Sequence, residues 1–196
     1  KLVMLDSTGK AYTLAAHTLP SARGQGEPLT GRINPPSGAT FEGILFGDED
    51  QRCLLATDAG YGFVTRLGDL QSKNRAGKAV LSLPRGSRVM PPMRVVDKNN
   101  DIVVAISNEG RMLAFPVGEL PELSRGKGNK IINIPAARAA DRSEYMVAAA
   151  VLSEGDRLLV YAGQRHLNLK RADLEHYRSE RGRRGHKLPR GFQKVD

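Results

Sequence analysis

A pattern recurs in this chain at intervals of about fifty residues, and such a period restricts the fold more than any single residue does, because it is the mark of stacked structural repeats. Apolar runs at residues 2–9, 54–60, 103–110 and 158–163 each end in a glycine: Gly9, Gly60, Gly110 and Gly163, spaced 51, 50 and 53 residues apart. A second alternating run follows each glycine, at 11–14, 62–67, 112–117 and 166–169. Each glycine therefore sits where a β-hairpin needs positive φ, and Asp58 and Asn108 beside two of them suit the same turns.

Every hairpin is followed by a short polar stretch ending in leucine, seen in Asp69-Leu70, Glu119-Leu120 and Asp173-Leu174. It has room for one helical turn and no packed helix. An arginine among small flexible residues marks the next element in all four units: Arg23-Gly24-Gln25-Gly26, Arg75-Ala76-Gly77-Lys78, Arg125-Gly126-Lys127-Gly128-Asn129-Lys130 and Arg181-Gly182-Arg183-Arg184-Gly185. Further strands are expected at 79–83 and 131–134, and closing strands at 41–46, 93–96 and 145–152. Alanine content alone would make 136–150 helical. Repeat position instead predicts a variable loop for its first half and a closing strand for its second, paired through the turn at 153–156 to residues 157–161.

About four strands per unit, regular turns and almost no helix predict an all-β, propeller-like fold of radially arranged blades. Such blades cannot bury both faces alone, so residues 1–196 are expected to fold as a single domain with repeats at about 1–50, 51–100, 101–155 and 156–196.

Thirty Lys and Arg against 21 Asp and Glu give a net charge of +9, which favours a polyanionic partner. The excess is concentrated late: 19 basic and 17 acidic residues precede position 157, and 11 basic and 4 acidic occupy 157–196. No apolar run approaches the roughly 20 residues of a membrane span. The one cysteine, Cys53, excludes an internal disulfide and lies in an apolar run where a buried thiol is inert. A start at Lys1, without Met or a signal-peptide pattern, is read as a cytosolic piece of a longer chain.

Catalytic signatures are missing from the sequence. The loop at 125–130 lacks GxxxxGK[ST] spacing, Gly24, Gly26 and Gly31 do not make GxGxxG, and no GxSxG is present. His17, His166, His176 and His186 are scattered without metal-ligand spacing, and Asp48-Glu49-Asp50 reads as a solvated turn between strands. A phosphate-processing enzyme is therefore excluded as a reading.

A basic, glycine-containing loop recurring once per blade sets cations at equivalent positions around a rim. Small residues let backbone N–H groups approach phosphates while Arg and Lys supply charge, the combination for contact with nucleic-acid backbone without base reading. The candidate DNA-binding residues are Arg23, Lys73, Arg75, Lys78, Arg125, Lys127, Lys130, Arg181, Arg183 and Arg184. A protein-interaction scaffold whose basic rim meets an acidic protein is the alternative.

The repeats, together with Ser21-Ala22-Arg23-Gly24-Gln25-Gly26-Glu27-Pro28-Leu29-Thr30-Gly31, Asp58-Ala59-Gly60-Tyr61-Gly62-Phe63, Asn74-Arg75-Ala76-Gly77-Lys78 and Ser124-Arg125-Gly126-Lys127-Gly128-Asn129-Lys130-Ile131-Ile132-Asn133-Ile134-Pro135, resemble the C-terminal domain of the A subunit of bacterial topoisomerase IV, a type IIA topoisomerase. The resemblance covers essentially the whole chain. It implies a β-pinwheel, a propeller-like fold with strands exchanged between blades, that binds and bends duplex DNA without sequence preference and tunes the choice of substrate for supercoil relaxation and decatenation. The related gyrase domain carries a box resembling Gln-Arg-Arg-Gly-Gly-Lys-Gly. No intact box occurs here, and the loops at Arg23, Arg75, Arg125 and Arg181 look like degenerate remnants, which implies bending without strong chiral wrapping.

Pinwheels of this type usually have five blades against four repeat cores here, so a first blade is expected upstream of Lys1. The resemblance also places the catalytic tyrosine in a separate cleavage region, so none of Tyr12, Tyr61, Tyr145, Tyr161 and Tyr177 has that role. It implies no cofactor for this domain, with Mg and ATP serving the full enzyme. The implied partners are duplex DNA, the N-terminal part of the same polypeptide and the ATPase chain of a heterotetramer, in the bacterial cytoplasm at the nucleoid and away from membranes.

Overall fold

A computed structural model describes residues 1–195. Along the chain, β1 (Leu2–Asp6) and β2 (Lys10–Leu14) form the first hairpin and β3 (Phe41–Phe46) follows it. The second hairpin, β4 (Arg52–Thr57) and β5 (Tyr61–Arg66), leads into α1 (Leu67–Leu70), β6 (Lys78–Ala79) and β7 (Met93–Val95). The third, β8 (Ile102–Ser107) and β9 (Arg111–Pro116), leads into β10 (Asn129–Lys130), α2 (Ala136–Ala140) and β11 (Met146–Leu152). The fourth, β12 (Arg157–Ala162) and β13 (Arg165–Lys170), is followed by a 3-10 segment at Arg171–Tyr177 and by β14 (His186–Lys187). No helix among the described residues is long and apolar enough to cross a membrane.

Three sheets have four antiparallel strands, in the orders β3-β1-β2-β6, β10-β5-β4-β7 and β11-β8-β9-β14, and β12 and β13 pair alone. Each four-stranded blade thus takes its hairpin and closing strand from one repeat and its remaining edge strand from the next: β6 joins β2, β10 joins β5, and β14 joins β9. The blades are strand-exchanged, as in a β-pinwheel.

Period-2 alternation sends the two faces of each of the first three hairpins into different cores, whereas the fourth buries one face and leaves Leu159 and Tyr161 exposed on the other. In β4, Cys53 and Leu55 pack with Val3, Leu5 and Phe63 between the first two blades, while Leu54 and Ala56 pack with Val103, Leu113 and Phe115 between the second and third. In β8, Val103 and Ala105 face that second core, and Ile102, Val104 and Ile106 face a third core with Val160, Leu174 and Tyr177. All six residues of β8 are buried, which accounts for the continuous apolar run where one buried face would give alternation. Residues 131–134, read as a strand from the sequence, place Ile131, Ile132 and Ile134 in the core between blades 2 and 3.

Three expectations change. The strand expected at 79–83 is a ladder of only two residues, Lys78–Ala79, and the one expected at 131–134 lies beyond its ladder, Asn129–Lys130, because the chain leaves the sheet at once to cross between blades. The first half of 136–150 contains one helical turn, α2, where a loop was expected. The second half is indeed a closing strand, but it pairs with β8, Val151 opposite Val103, and not with residues 157–161. The turn at 153–156 therefore changes blade instead of closing a hairpin, and β12 pairs with β13.

Candidate nucleic-acid interface

Each of the first three hairpin turns is pinned to the approach of its own closing strand. The Asp58 N–H donates to the Arg88 carbonyl (2.9 Å) and the Arg88 N–H donates to Asp58 Oδ1 (2.8 Å). Asn108 and Tyr145 repeat this exchange at 3.0 Å in both directions, as do Ser7 and Thr40 at 2.7 and 3.0 Å. The turn glycine then meets the next repeat: a Cβ on Gly60, whose φ is +85°, would lie 2.5 Å from the Ile132 carbonyl oxygen. Only glycine combines that conformation with that approach.

The arginine loops are hydrogen-bonded to one another in series. The Asn34 N–H donates to the Arg75 carbonyl (2.7 Å), linking the segment that follows the first loop to the second. Ser82 N–H donates to the Gly126 carbonyl (2.9 Å) and Gly126 N–H to the Val80 carbonyl (3.0 Å), linking second to third. Asn133 N–H donates to the Arg183 carbonyl (2.8 Å) and Gly182 N–H to the Ile131 carbonyl (2.9 Å), linking third to fourth. The second, third and fourth loops and the segment after the first, scattered in sequence, become one continuous band.

Within that band the ten candidate residues divide by what their side chains touch. Arg75 donates to the Gly31 and Arg32 carbonyls at 2.8 and 3.1 Å, and Arg181 to the Lys130 carbonyl at 2.7 Å. Arg184 donates to the Asn133 carbonyl at 2.9 Å and meets buried Glu144 at 2.6 Å; Arg138 holds the other Glu144 oxygen at 3.0 Å. Arg75, Arg181 and Arg184 clamp one loop to the next. Lys78 donates to the Asp69 carbonyl (2.6 Å), Lys130 to Asn133 Oδ1 (2.8 Å), and Arg183 pairs with Glu180 (2.8 Å). Lys127 lies over the Tyr61 ring, 4.7 Å from its centroid, with its ammonium exposed. Arg23, Lys73 and Arg125 are exposed, and their side chains have no hydrogen-bond or ion-pair partner among the described residues. Sequence reasoning recognised the cations but could not separate clamps from free charges.

Elsewhere, burial pushes the Cys53 thiol up to about 12, so at neutral pH it is a protonated core side chain. Asp48, Glu49 and Asp50 form an exposed turn, with Glu49 3.5 Å from Lys1 and Asp50 3.8 Å from Arg66. The rings of His176 and His186, distant in sequence, come within 5.9 Å. Among the described residues no group of three or more His, Cys, Asp or Glu is placed to hold a metal ion.

Comparison with known proteins decides the family: residues 51–95 and 101–158, together more than half the chain, match the model described as DNA gyrase C-terminal domain, beta-propeller. The chain belongs to the DNA gyrase C-terminal domain family. Within this family it is similar to the A subunit of DNA topoisomerase 4 from Pseudomonas aeruginosa, 59% identical over 99% of this chain and 26% of that protein. The corresponding protein of Escherichia coli K12 is 49% identical over 100% of this chain and 26% of its own length. The chain thus spans about a quarter of these relatives. The solved C-terminal domain of E. coli ParC superposes with a TM-score of 0.91 at 49% identity, covering all of this chain and 78% of that one. A DNA gyrase A C-terminal domain, 18% identical with a TM-score of 0.71, shares the fold.

Proposed function

We propose that this domain binds and bends duplex DNA through the phosphate backbone, without catalytic activity of its own, as the C-terminal domain of the A subunit of a topoisomerase IV. The observation that carries the reading is the hydrogen-bonded band joining the second, third and fourth loops to the segment after the first, with the exposed cations Arg23, Lys73 and Arg125, unpartnered among the described residues, on successive repeats. Arg75, Arg181 and Arg184 then act chiefly as clamps that hold the band's shape, and their remaining N–H groups add field. Contacts of this kind fix a duplex without reading its bases. Successive blades point in different directions, so a duplex reaching three loops must curve, at a cost of roughly 1–6 kcal/mol for 20–30 base pairs.

In the full enzyme, the domain would engage a bent segment and so favour certain substrates in supercoil relaxation and decatenation. The strand-cleaving tyrosine, ATP and Mg chemistry would belong to the N-terminal part of the same polypeptide and to its ATPase partner, in the bacterial cytoplasm at the nucleoid.

Salt titration of duplex binding tests this. Log K against log salt should fall steeply and linearly, and Arg23→Gln, Lys73→Gln and Arg125→Gln combined should reduce the slope by up to about 2.7, at roughly 0.9 per phosphate contact. A flat plot for the unmodified protein would overturn the proposal.

A further inference from the structure

Beside the turn of the third hairpin a cleft of about 800 Å³ opens between that blade and the C-terminal segment, lined among others by Asn108, Glu109, Arg111, Arg184, Lys187 and Lys194. Its charge is lopsided. The single carboxylate in that group, Glu109, is paired with Arg138 at 3.0 Å, and Arg184 is occupied by Glu144 and the Asn133 carbonyl. Arg111 uses one nitrogen on the Gly185 carbonyl, 3.1 Å away. The exposed Lys187 and Lys194 ammonium groups have no partner among the described residues.

Strand register sharpens the imbalance. In the β9–β14 ladder Lys187 stands directly opposite Arg111. At the equivalent place in the other two blades Lys130 faces Tyr61 and Ala79 faces Lys10, so the two like charges meet at this junction alone of the three. Like charges directly opposite across an antiparallel pair destabilise it. An anion seated between them reverses the sign, and a guanidinium with two free ammonium groups suits the oxygens of a phosphodiester.

The cleft is continuous with the arginine band, because Gly185, which accepts from Arg111, closes the fourth loop, and Arg184 lines both. We infer that Arg111, Lys187 and Lys194 form a further phosphate site for duplex DNA, carrying its path past the fourth loop onto the side of the third blade. The inference rests on the duplex-binding reading above.

The test uses Lys187→Gln/Lys194→Gln, which removes no hydrogen bond of the described structure, and adds Arg111→Gln in a second variant, with thermal unfolding no lower than that of the unmodified protein as the folding check for the double variant. The double variant should lower the slope of log K against log salt by about 1–1.8, and a bound duplex should protect Lys187 and Lys194 from amine acetylation read by mass spectrometry. Duplex binding with unchanged slope and no protection would overturn the site while leaving the loop band standing. Protection by polyglutamate but not by duplex would also overturn it, in favour of an acidic protein. If the unmodified protein binds no duplex at low salt, the broader reading falls and the site with it.

Discussion

The Arg142 guanidinium meets the Asp58 carboxylate at 2.9 Å across the boundary between the second and third repeats, and Arg142 does so from a left-handed backbone conformation, φ 60°. The same side chain donates to the Gly86 carbonyl at 2.8 Å and lies over the Tyr145 ring, 4.8 Å from its centroid. Asp58 is nearly buried and also anchors the Arg88 N–H, so this one residue joins a hairpin turn to the segments before two closing strands.

Arg142→Ala leaves the Asp58 carboxylate without its cationic partner and should cost about 2–3 kcal/mol, the scale of a hydrogen bond to a charged group, seen as a Tm lower by about 5–10 °C. Arg142→Gly loses the same pair but adopts the left-handed conformation freely, so it should recover about 1 kcal/mol relative to alanine. Equal melting temperatures for the two variants would show that the backbone conformation carries no strain.

Gly128 tests whether the loops depend on close approach between successive repeats. Its φ is +77°, and a Cβ there would collide with the Gly62 carbonyl of the preceding repeat. Gly128→Ala should cost about 2–4 kcal/mol, conformational strain and overpacking together. Gly155→Ala, at φ +84° with nothing within 4 Å of the added Cβ among the described residues, should cost only about 1 kcal/mol. Similar losses in thermal unfolding would contradict the packing account.

Glu122 gathers Lys98 at 3.0 Å, Arg66 at 2.9 Å and Arg52 at 3.3 Å, fastening the chain beside β5 to the open end of the second hairpin. Hydrogen bonds from Lys98 first, then from Arg66 and Arg52, pull its carboxyl down to about 2 against the opposing effect of burial. A lowered folded-state value means the carboxylate stabilises the fold above the ordinary value near 4.5 and loses that contribution as pH falls towards 2. Glu122→Gln should cost about 1 kcal/mol at pH 7, as partly exposed pairs do. The difference between variant and unmodified protein should close between about pH 5 and pH 2 in denaturant titrations; a difference independent of pH would remove the ion pairs from the account.

Much of the fold was legible because glycine spacing and alternation are local signals: Gly9, Gly60, Gly110 and Gly163 all adopt positive φ, 86°, 85°, 72° and 60°, at the tips of the expected hairpins. Strand exchange left no periodic trace, since Lys78–Ala79, Asn129–Lys130 and His186–Lys187 are too short to alternate. The partner of Met146–Leu152 was misread because nearness in sequence favoured residues 157–161, while the repeat geometry places each closing strand on the first strand of its own hairpin. The arginine loops were legible as charge. Whether a guanidinium reaches a carbonyl, as Arg75 and Arg181 do, or solvent, as Arg125 does, is decided by the neighbouring repeat. Arg111 escaped notice because it opens a strand and lies outside any basic loop.

Duplex length is the most direct probe of the central claim that the four loops act as one curved track. Affinity should rise from about 12 to about 40 base pairs and then level off, and energy transfer between dyes at the ends of a duplex of about 40 base pairs should increase on binding as the ends draw together. Affinity already saturated at about 12 base pairs, with no change in end-to-end transfer, would contradict the account and leave a single flat contact in its place.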